Sequence, residues 1–192
     1  INLVWRYVIA QYMLGKEPRP FDLLYWNADQ TNIPGKVHRK YLKDCYAKNK
    51  LARGKFKVLG ETVDLKQVDI PIMVQASRDD HICPMESVYR TAKVFGGKTQ
   101  FILAASGHIA GVVNHPDSGK YCHWTNDSAL PDTGAEWLDG AEEHAGSWWP
   151  TWWNWLRPKS GRKVVAKQPK DMGLGSAPGT YARVRLEDIK LG

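Results

Sequence analysis

Apolar positions recur along this chain with two different periods, and the change between them marks out the elements. Over residues 1–14, Leu3, Val4, Val8, Tyr12 and Met13 return about every 3.6 residues, and Trp5 and Ile9 widen the stripe. That spacing predicts an amphipathic helix. Gly15 supplies its stop, and Pro18 and Pro20 oppose continuation. Phe21-Asp22-Leu23-Leu24-Tyr25-Trp26-Asn27 is the aromatic part of a loop, and Pro34-Gly35 signals a turn. A second helix is predicted over 36–51, with Val37, Tyr41, Leu42, Cys45 and Tyr46 on one side.

The period then shortens. Phe56, Val58, Thr62, Val63 and Leu65, broken at Gly60-Glu61, read as a hairpin. Ile70–Ala76 is nearly continuous in apolar residues, as suits a strand buried on both faces, with Pro71 tolerable only near its start. Val88, Ala92 and Phe95 mark a helix face that Gly96-Gly97 closes, and Thr99–Ala104 is a second buried strand. Strand, helix and strand over about 30 residues make a βαβ unit, so the expected class is α/β. Residues 115–135 read as loop, 135–156 as two helical pieces broken near Pro150, and the chain from Pro158 as a tail or extended arm. No internal repeat is visible.

Composition narrows the function classes. The 192 residues, 43% hydrophobic and 24% charged, suffice for one domain with a sizeable core. Apolar runs are short and interrupted by charges, so neither a signal peptide nor a membrane span is expected, and a cytoplasmic setting is the default. The chain begins at Ile1, inside a helix-like pattern, as a piece of a longer protein would. Cys45, Cys83 and Cys122 show no C-x-x-C spacing, which argues against a disulfide framework or a cysteine-based zinc site; no metal is expected. Part of the net charge of +7 sits in Arg157, Lys159, Arg162, Lys163, Lys167 and Lys170, which read as a solvated basic tail. No motif beside them suggests nucleic-acid binding.

Two loops carry candidate chemistry, each directly after a predicted strand. Ser77-Arg78-Asp79-Asp80-His81-Ile82 follows the strand at 70–76, and Ala105-Ser106-Gly107-His108-Ile109-Ala110-Gly111 follows the strand at 99–104. In open α/β sheets the working residues lie beyond the carboxyl ends of parallel strands. If the two strands are parallel neighbours, Asp80 and His108 can meet at one edge. A carboxylate beside an imidazole fixes the ring tautomer and leaves the other nitrogen as base. Acid before His is also the α/β-hydrolase order. The plainer readings stay open at this point: an Asp in a βα loop often caps a helix, and a His in a Gly-rich loop is often only a polar surface residue.

S-R-D-D-H-I-C-P at 77–84 and A-S-G-H-I-A-G-V at 105–112 resemble the acid and His loops of polyhydroxyalkanoate synthases, most closely class I. F-D-L-L-Y-W-N at 21–27, H-W-T-N at 123–126 and G-S-W-W-P-T-W at 146–152 resemble further signatures of that family. The resemblance covers most of the chain, from about Asn2 to Leu156. It implies the C-terminal half of an α/β-hydrolase fold: cap-proximal helices and loop at 1–52, a core at 53–156 and a basic tail at 157–192. It implies an acyltransferase that polymerises (R)-3-hydroxyacyl-CoA, notably 3-hydroxybutyryl-CoA, into a polyester with release of CoA. No cofactor is implied, because acyl-CoA is the substrate. The implied partners are the growing polyester, the granule surface and a second copy of the enzyme, and the implied location is cytoplasmic and granule-associated.

Carried over by position, His108 would deprotonate a cysteine nucleophile. Asp80 would assist the monomer's 3-hydroxyl or orient His108. His81, Ile82 and Ile109 would line the substrate pocket. The sequence departs from the family in lacking G-x-C-x-G. The implied nucleophile lies upstream of Ile1, and this chain alone is expected to be inactive. Cys83 and Met85 stand where the family more often has Val and Trp. An esterase or polyester depolymerase, or a non-catalytic granule-binding or dimerising segment, remain the rival readings. Of the crowded tryptophans, Trp148, Trp152 and Trp155 share one helical face, expected to pack, while Trp149 and Trp153 share another that can stay exposed.

Overall fold

The computed structural model describes Trp5, residues 8–17, Trp26, residues 31–166, Gly173, and residues 175–180 and 183–185. Leu3, Val4, most of the aromatic loop at 21–27, and Lys167 and Lys170 of the basic stretch lie outside the described residues.

The expected βαβ unit is present. Strand β3 (Ile72–Ser77) lies parallel to β4 (Thr99–Ala104), in register from Ile72 opposite Thr99 to Ser77 opposite Ala104. Helix α2 (Met85–Ala92) connects them. Before this unit, β1 (Phe56–Val58) and β2 (Glu61–Val63) form the predicted hairpin. Its turn residues are Leu59 and Gly60, one position earlier than the expected break, with φ of 50° and 91°. Two positive φ values define a type I′ turn, which favours Asn before Gly and not an aliphatic residue. Leu59→Asn is therefore expected to stabilise the hairpin by about 1 kcal/mol, read as slower hydrogen exchange at the β1–β2 amides.

Two further strands correct the sequence reading. Beyond β4 the sheet continues with β5 (Cys122–Thr125) and β6 (Glu142–Ala145), both antiparallel to their neighbours, in the order β3-β4-β5-β6. The predicted loop at 115–135 thus contains a strand, and the span at 135–156 contains a strand between two helices. These are α3 (Gly134–Asp139) and α4 (Trp149–Leu156). Pro150 does not break a helix; it sits in the first turn of α4, where its missing N–H costs nothing. α3 starts with a reciprocal capping box: Thr133 Oγ1 accepts from the Glu136 amide, and the Glu136 carboxylate accepts from the Thr133 amide.

The Gly96-Gly97 pair also has a different task from the expected one. α2 already ends at Ala92. A side chain at Gly96 would collide with the backbone of Lys66, and one at Gly97 with the carbonyl of Ile70. The pair lets the chain entering β4 run against the segment entering β3, where the Gly97 amide donates to the Val68 carbonyl at 2.8 Å.

One face of β4 sends Phe101 and Leu103 into a core shared with Tyr89 and Ala92 of α2, Trp137 of α3 and Trp124 of β5. The Phe101 and Trp137 rings meet edge to face at 4.8 Å, and Tyr89 and Phe101 at 5.1 Å, as the quadrupoles of aromatic rings favour. Ile102 and Ala104 are buried on the opposite face, so β4 is covered on both sides as expected. β3 is not: only Ala76 and Ser77 are buried, because among the described residues it has a neighbour on one edge alone.

The helix predicted over 36–51 runs as α1 (Gly35–Tyr41) and continues in wider π-type turns over Leu42–Ala47. Its apolar residues Val37, Tyr41, Leu42 and Tyr46 are exposed, whereas Asp44 is buried. Lys40 and Lys50 grip the Asp44 carboxylate at 2.9 and 2.7 Å and hold its pKa down, from an ordinary 3.8 to about 2. A depressed folded-state pKa stabilises the fold above the unfolded value. Native structure around α1 is therefore expected to weaken as pH falls from about 4 through about 2. Circular dichroism over that range should show the loss, and Asp44→Asn should flatten it.

No helix among the described residues is long and apolar enough to cross a membrane.

Candidate active site

The parallel pairing puts the ends of β3 and β4 side by side, and the two candidate loops leave the same edge. Backbone bonds lace the loops together: the Arg78 amide donates to the Ala104 carbonyl at 2.8 Å, and the Asp79 amide to the Ser106 carbonyl at 2.9 Å. Ser106 holds a φ of 74°, unusual for a residue with a side chain. From there residues 107–113 coil through one short turn, in which the Gly111 amide returns to the Gly107 carbonyl at 2.9 Å. Gly111 must lack a side chain, since a Cβ would run into the Ser77 hydroxyl at the end of β3.

This framework brings Asp80 and His108 together. His108 Nδ1 lies 2.8 Å from Asp80 Oδ2. The Asp80 side chain is 6% exposed and that of His108 45% exposed, so the pair has a buried acid and an open base. The other carboxylate oxygen, Oδ1, accepts the amides of Ile82 at 2.8 Å and Cys83 at 2.9 Å. Burial pulls the Asp80 pKa upward. The bonds from the Cys83 amide, His108 and the Ile82 amide together outweigh it, leaving the acid below the ordinary carboxylate value. Asp80 is therefore ionised at neutral pH. An ionised carboxylate only accepts, so a His108 ring with a single proton carries it on Nδ1 and keeps its Nε2 lone pair free. The pairing therefore fixes the ring tautomer.

The loop bearing His108 is also held from its far side. The Trp148 indole N–H reaches the carbonyls of Gly111 and Val112, each at 3.1 Å, and the Trp149 indole N–H reaches the Val112 carbonyl at 2.9 Å. The Ser147 hydroxyl donates to the Asn114 carbonyl. These positioning contacts did not emerge from the sequence. The G-S-W-W-P stretch was conspicuous, but helical spacing says which rings share a face and not which carbonyls they meet. The expected partition of the rings changes accordingly: Trp148, Trp149 and Trp155 are half-buried, while Trp152 and Trp153 are 39% and 51% exposed. Trp152 leaves the packed set although its ring meets that of Trp148 at 6.1 Å, and Trp149 joins it through its bond to Val112.

Of the other expected site residues, Ile82 bonds to the pair through its backbone amide, which donates to Asp80 Oδ1; none does so through its side chain. Ile82 and Ile109 are exposed, one on each loop. His81 is exposed beside Asp80, and its side chain forms no hydrogen bond among the described residues. Cys83 is a free, exposed thiol whose sulfur belongs, with Asp80 and His108, to a group of possible metal ligands. Cys45 and Cys122 are free as well. A separate cleft of about 390 Å³ lies between the sheet and α4, lined by Ile102, Thr125, His144, Thr151 and Trp155 among others. Neither Asp80 nor His108 reaches it.

The fold and site thus define the class: a mixed α/β sheet with a carboxylate–imidazole pair at the carboxyl edge of its parallel strands. Comparison with known proteins adds relatives to that description. No family profile matches the chain. Curated relatives do: it is 45% identical to the poly(3-hydroxyalkanoate) polymerase subunit PhaC of Cupriavidus necator, and 44% identical both to that of Rhizobium etli and to the poly(3-hydroxyalkanoate) polymerase of Methylorubrum extorquens. Each similarity covers 96% of this chain and 32%, 29% and 31% of the respective relative. The chain thus spans about a third of the length of the relatives it matches. By sequence it corresponds to a C-terminal part of a polyhydroxyalkanoate synthase.

Proposed function

We propose that this chain supplies the acid–base half of an acyltransferase that builds polyhydroxyalkanoate from (R)-3-hydroxyacyl-CoA, and that its sheet is the C-terminal half of an α/β-hydrolase core. The observation that carries the reading is the 2.8 Å bond between His108 and Asp80 at the edge where β3 and β4 end. The names of the relatives support the same substrate class.

His108 Nε2 takes the proton of a cysteine thiol, and the thiolate attacks the acyl-CoA carbonyl. The CoA sulfur leaves and takes up the proton from His108, so the step is neutral overall. In the elongation half-reaction the 3-hydroxyl of a monomer or chain attacks the thioester carbonyl, the ester C–O bond forms as the C–S bond to the cysteine breaks, and the proton that the hydroxyl loses passes through the Asp80–His108 pair to the departing thiolate. None of Cys45, Cys83 and Cys122 lies in the glycine-flanked turn that a nucleophile elbow requires. We assign the nucleophile to a segment outside this chain. Ile82 and Ile109, exposed on either side of the pair, provide apolar surface for the acyl group. Trp152 and Trp153, outward on α4, are the rings available to a polyester surface.

The test is single-turnover chemistry with labelled 3-hydroxybutyryl-CoA on the intact enzyme. Asp80→Asn is expected to form the acyl-enzyme within about tenfold of the normal rate but to elongate about a hundredfold more slowly, a loss within the range of general acid–base catalysis. Equal loss of both steps would count against a separate role for Asp80 in elongation. A label found on Cys45, Cys83 or Cys122 would overturn the assignment of the nucleophile. Hydrolysis of polyester with no CoA release would point to an esterase instead.

A further inference from the structure

Three side chains of different donor chemistry converge where the loop after β3 meets the loop of His108. A carboxylate oxygen of Asp80, the thiol sulfur of Cys83 and a ring nitrogen of His108 lie within 4.8 Å of one another. Asp80 is buried, and the other two are exposed. We propose that Asp80, Cys83 and His108 form a binding site for a soft divalent cation of the zinc class, with water as the fourth ligand, and that the bound ion blocks the His108 base.

The donor set selects the ion. A thiolate and an imidazole suit zinc and disfavour magnesium and calcium, which take oxygen ligands. The thiolate and carboxylate together bring two negative charges to an ion carrying two positive ones. Binding displaces the thiol proton to solvent, which balances the charge of the exchange.

The geometry needs little adjustment. A tetrahedral zinc ion with bonds of about 2.0–2.3 Å spaces its ligand atoms about 3.3–3.8 Å apart, so the widest gap closes by about 1 Å. Cys83 and His108 face solvent, so they make that movement. Asp80 stays fixed, because the Ile82 and Cys83 amides hold its Oδ1. A carboxylate offers about four acceptor positions. The two amides occupy Oδ1, so the ion enters between Oδ2 and His108 Nδ1, replaces their 2.8 Å hydrogen bond and opens that separation by about 0.5 Å. The open side toward solvent admits the water ligand and lets the ion exchange.

With Nδ1 on the ion, the one proton of the neutral ring sits on Nε2, the nitrogen that would otherwise take up a proton, so a bound ion removes the base. The metal site stands on the donor set alone. Only the block on turnover rests on the acyl-transfer reading.

Cobalt(II) is the probe and zinc the competitor. Titrating the purified chain with Co²⁺ should raise a thiolate-to-cobalt charge-transfer absorption in the near ultraviolet, and Zn²⁺ should remove it. Cys83→Ser should lose the band and bind zinc at least about tenfold more weakly, since even losing a group behind a metal ligand costs that much. Cys45→Ser and Cys122→Ser should keep both. In the unaltered chain, zinc should slow alkylation of Cys83, read by peptide mass spectrometry, without slowing that of Cys45. Absence of the band, its survival in Cys83→Ser, or alkylation of Cys83 indifferent to zinc would overturn the site. Neither readout involves turnover, so failure of the metal site leaves the acyl-transfer reading standing. Conversely, zinc binding to this chain together with full activity of the intact enzyme carrying His108→Ala would retain the site and lose the block.

Discussion

Replacing His108 with alanine is expected to slow acyl-enzyme formation by about 10²–10⁴-fold, the range that a positioned proton-transfer group supplies, with little change in the unfolding midpoint. Two structural facts separate the effects. The ring is 45% exposed, so its loss leaves no sealed cavity. Asp80 also keeps both backbone donors on Oδ1 after the ring is gone, so its buried carboxylate does not become an orphan. Rapid-quench measurement of acyl-enzyme reads the first quantity and a urea titration the second. Imidazole added to the variant should restore part of the rate, because the missing part is a base and not a fold. A variant that acylates at the normal rate would remove His108 from the mechanism.

The second large effect is on stability. Trp137→Ala is expected to cost about 3–5 kcal/mol, the range for deleting a large aromatic from a core. Trp137 is fully buried and makes ring contacts with both Phe101 and Tyr89, so its removal opens the junction of α2, α3 and β4. Its indole N–H finds no acceptor among the described residues. An unpaired buried donor carries a penalty of about 1–3 kcal/mol, which Trp137→Phe removes while losing only part of the volume. The phenylalanine variant should therefore cost much less than the alanine variant. A pair of denaturant titrations decides the matter: equal losses would mean that the N–H is satisfied in solution.

Much of the site was legible in the sequence because it depends on features that periodicity and order report. Ile72, Val74, Phe101 and Leu103 form the apolar runs of two strands, one buried and one half-buried, and the helix between them makes the strands parallel neighbours. Once those strands are parallel neighbours, Asp80 and His108 must emerge at one edge. β5 and β6 were not legible, for the converse reason. They are four residues each, and Glu142, Glu143 and Ala145 are exposed, so β6 carries no apolar alternation. What holds them is pairing across the sheet, including His123 opposite His144 with the rings stacked at 5.1 Å. The helix at 35–47 failed differently: its stripe of apolar residues was real, but among the described residues that stripe remains exposed. A pattern reveals a face and is silent about what covers it.

The tryptophans of α4 divide by what their indole nitrogens do. Trp148 and Trp149 spend their N–H groups on the carbonyls of Gly111 and Val112, while Trp152 and Trp153 turn outward. Phenylalanine at 149 would preserve the greasy bulk of the helix yet release its hold on the turn that carries the imidazole. Phenylalanine at 153 would leave that hold untouched. If the proposed function holds, contact with a polyester surface and alignment of the imidazole fall to different rings of one segment, so that either can change without the other.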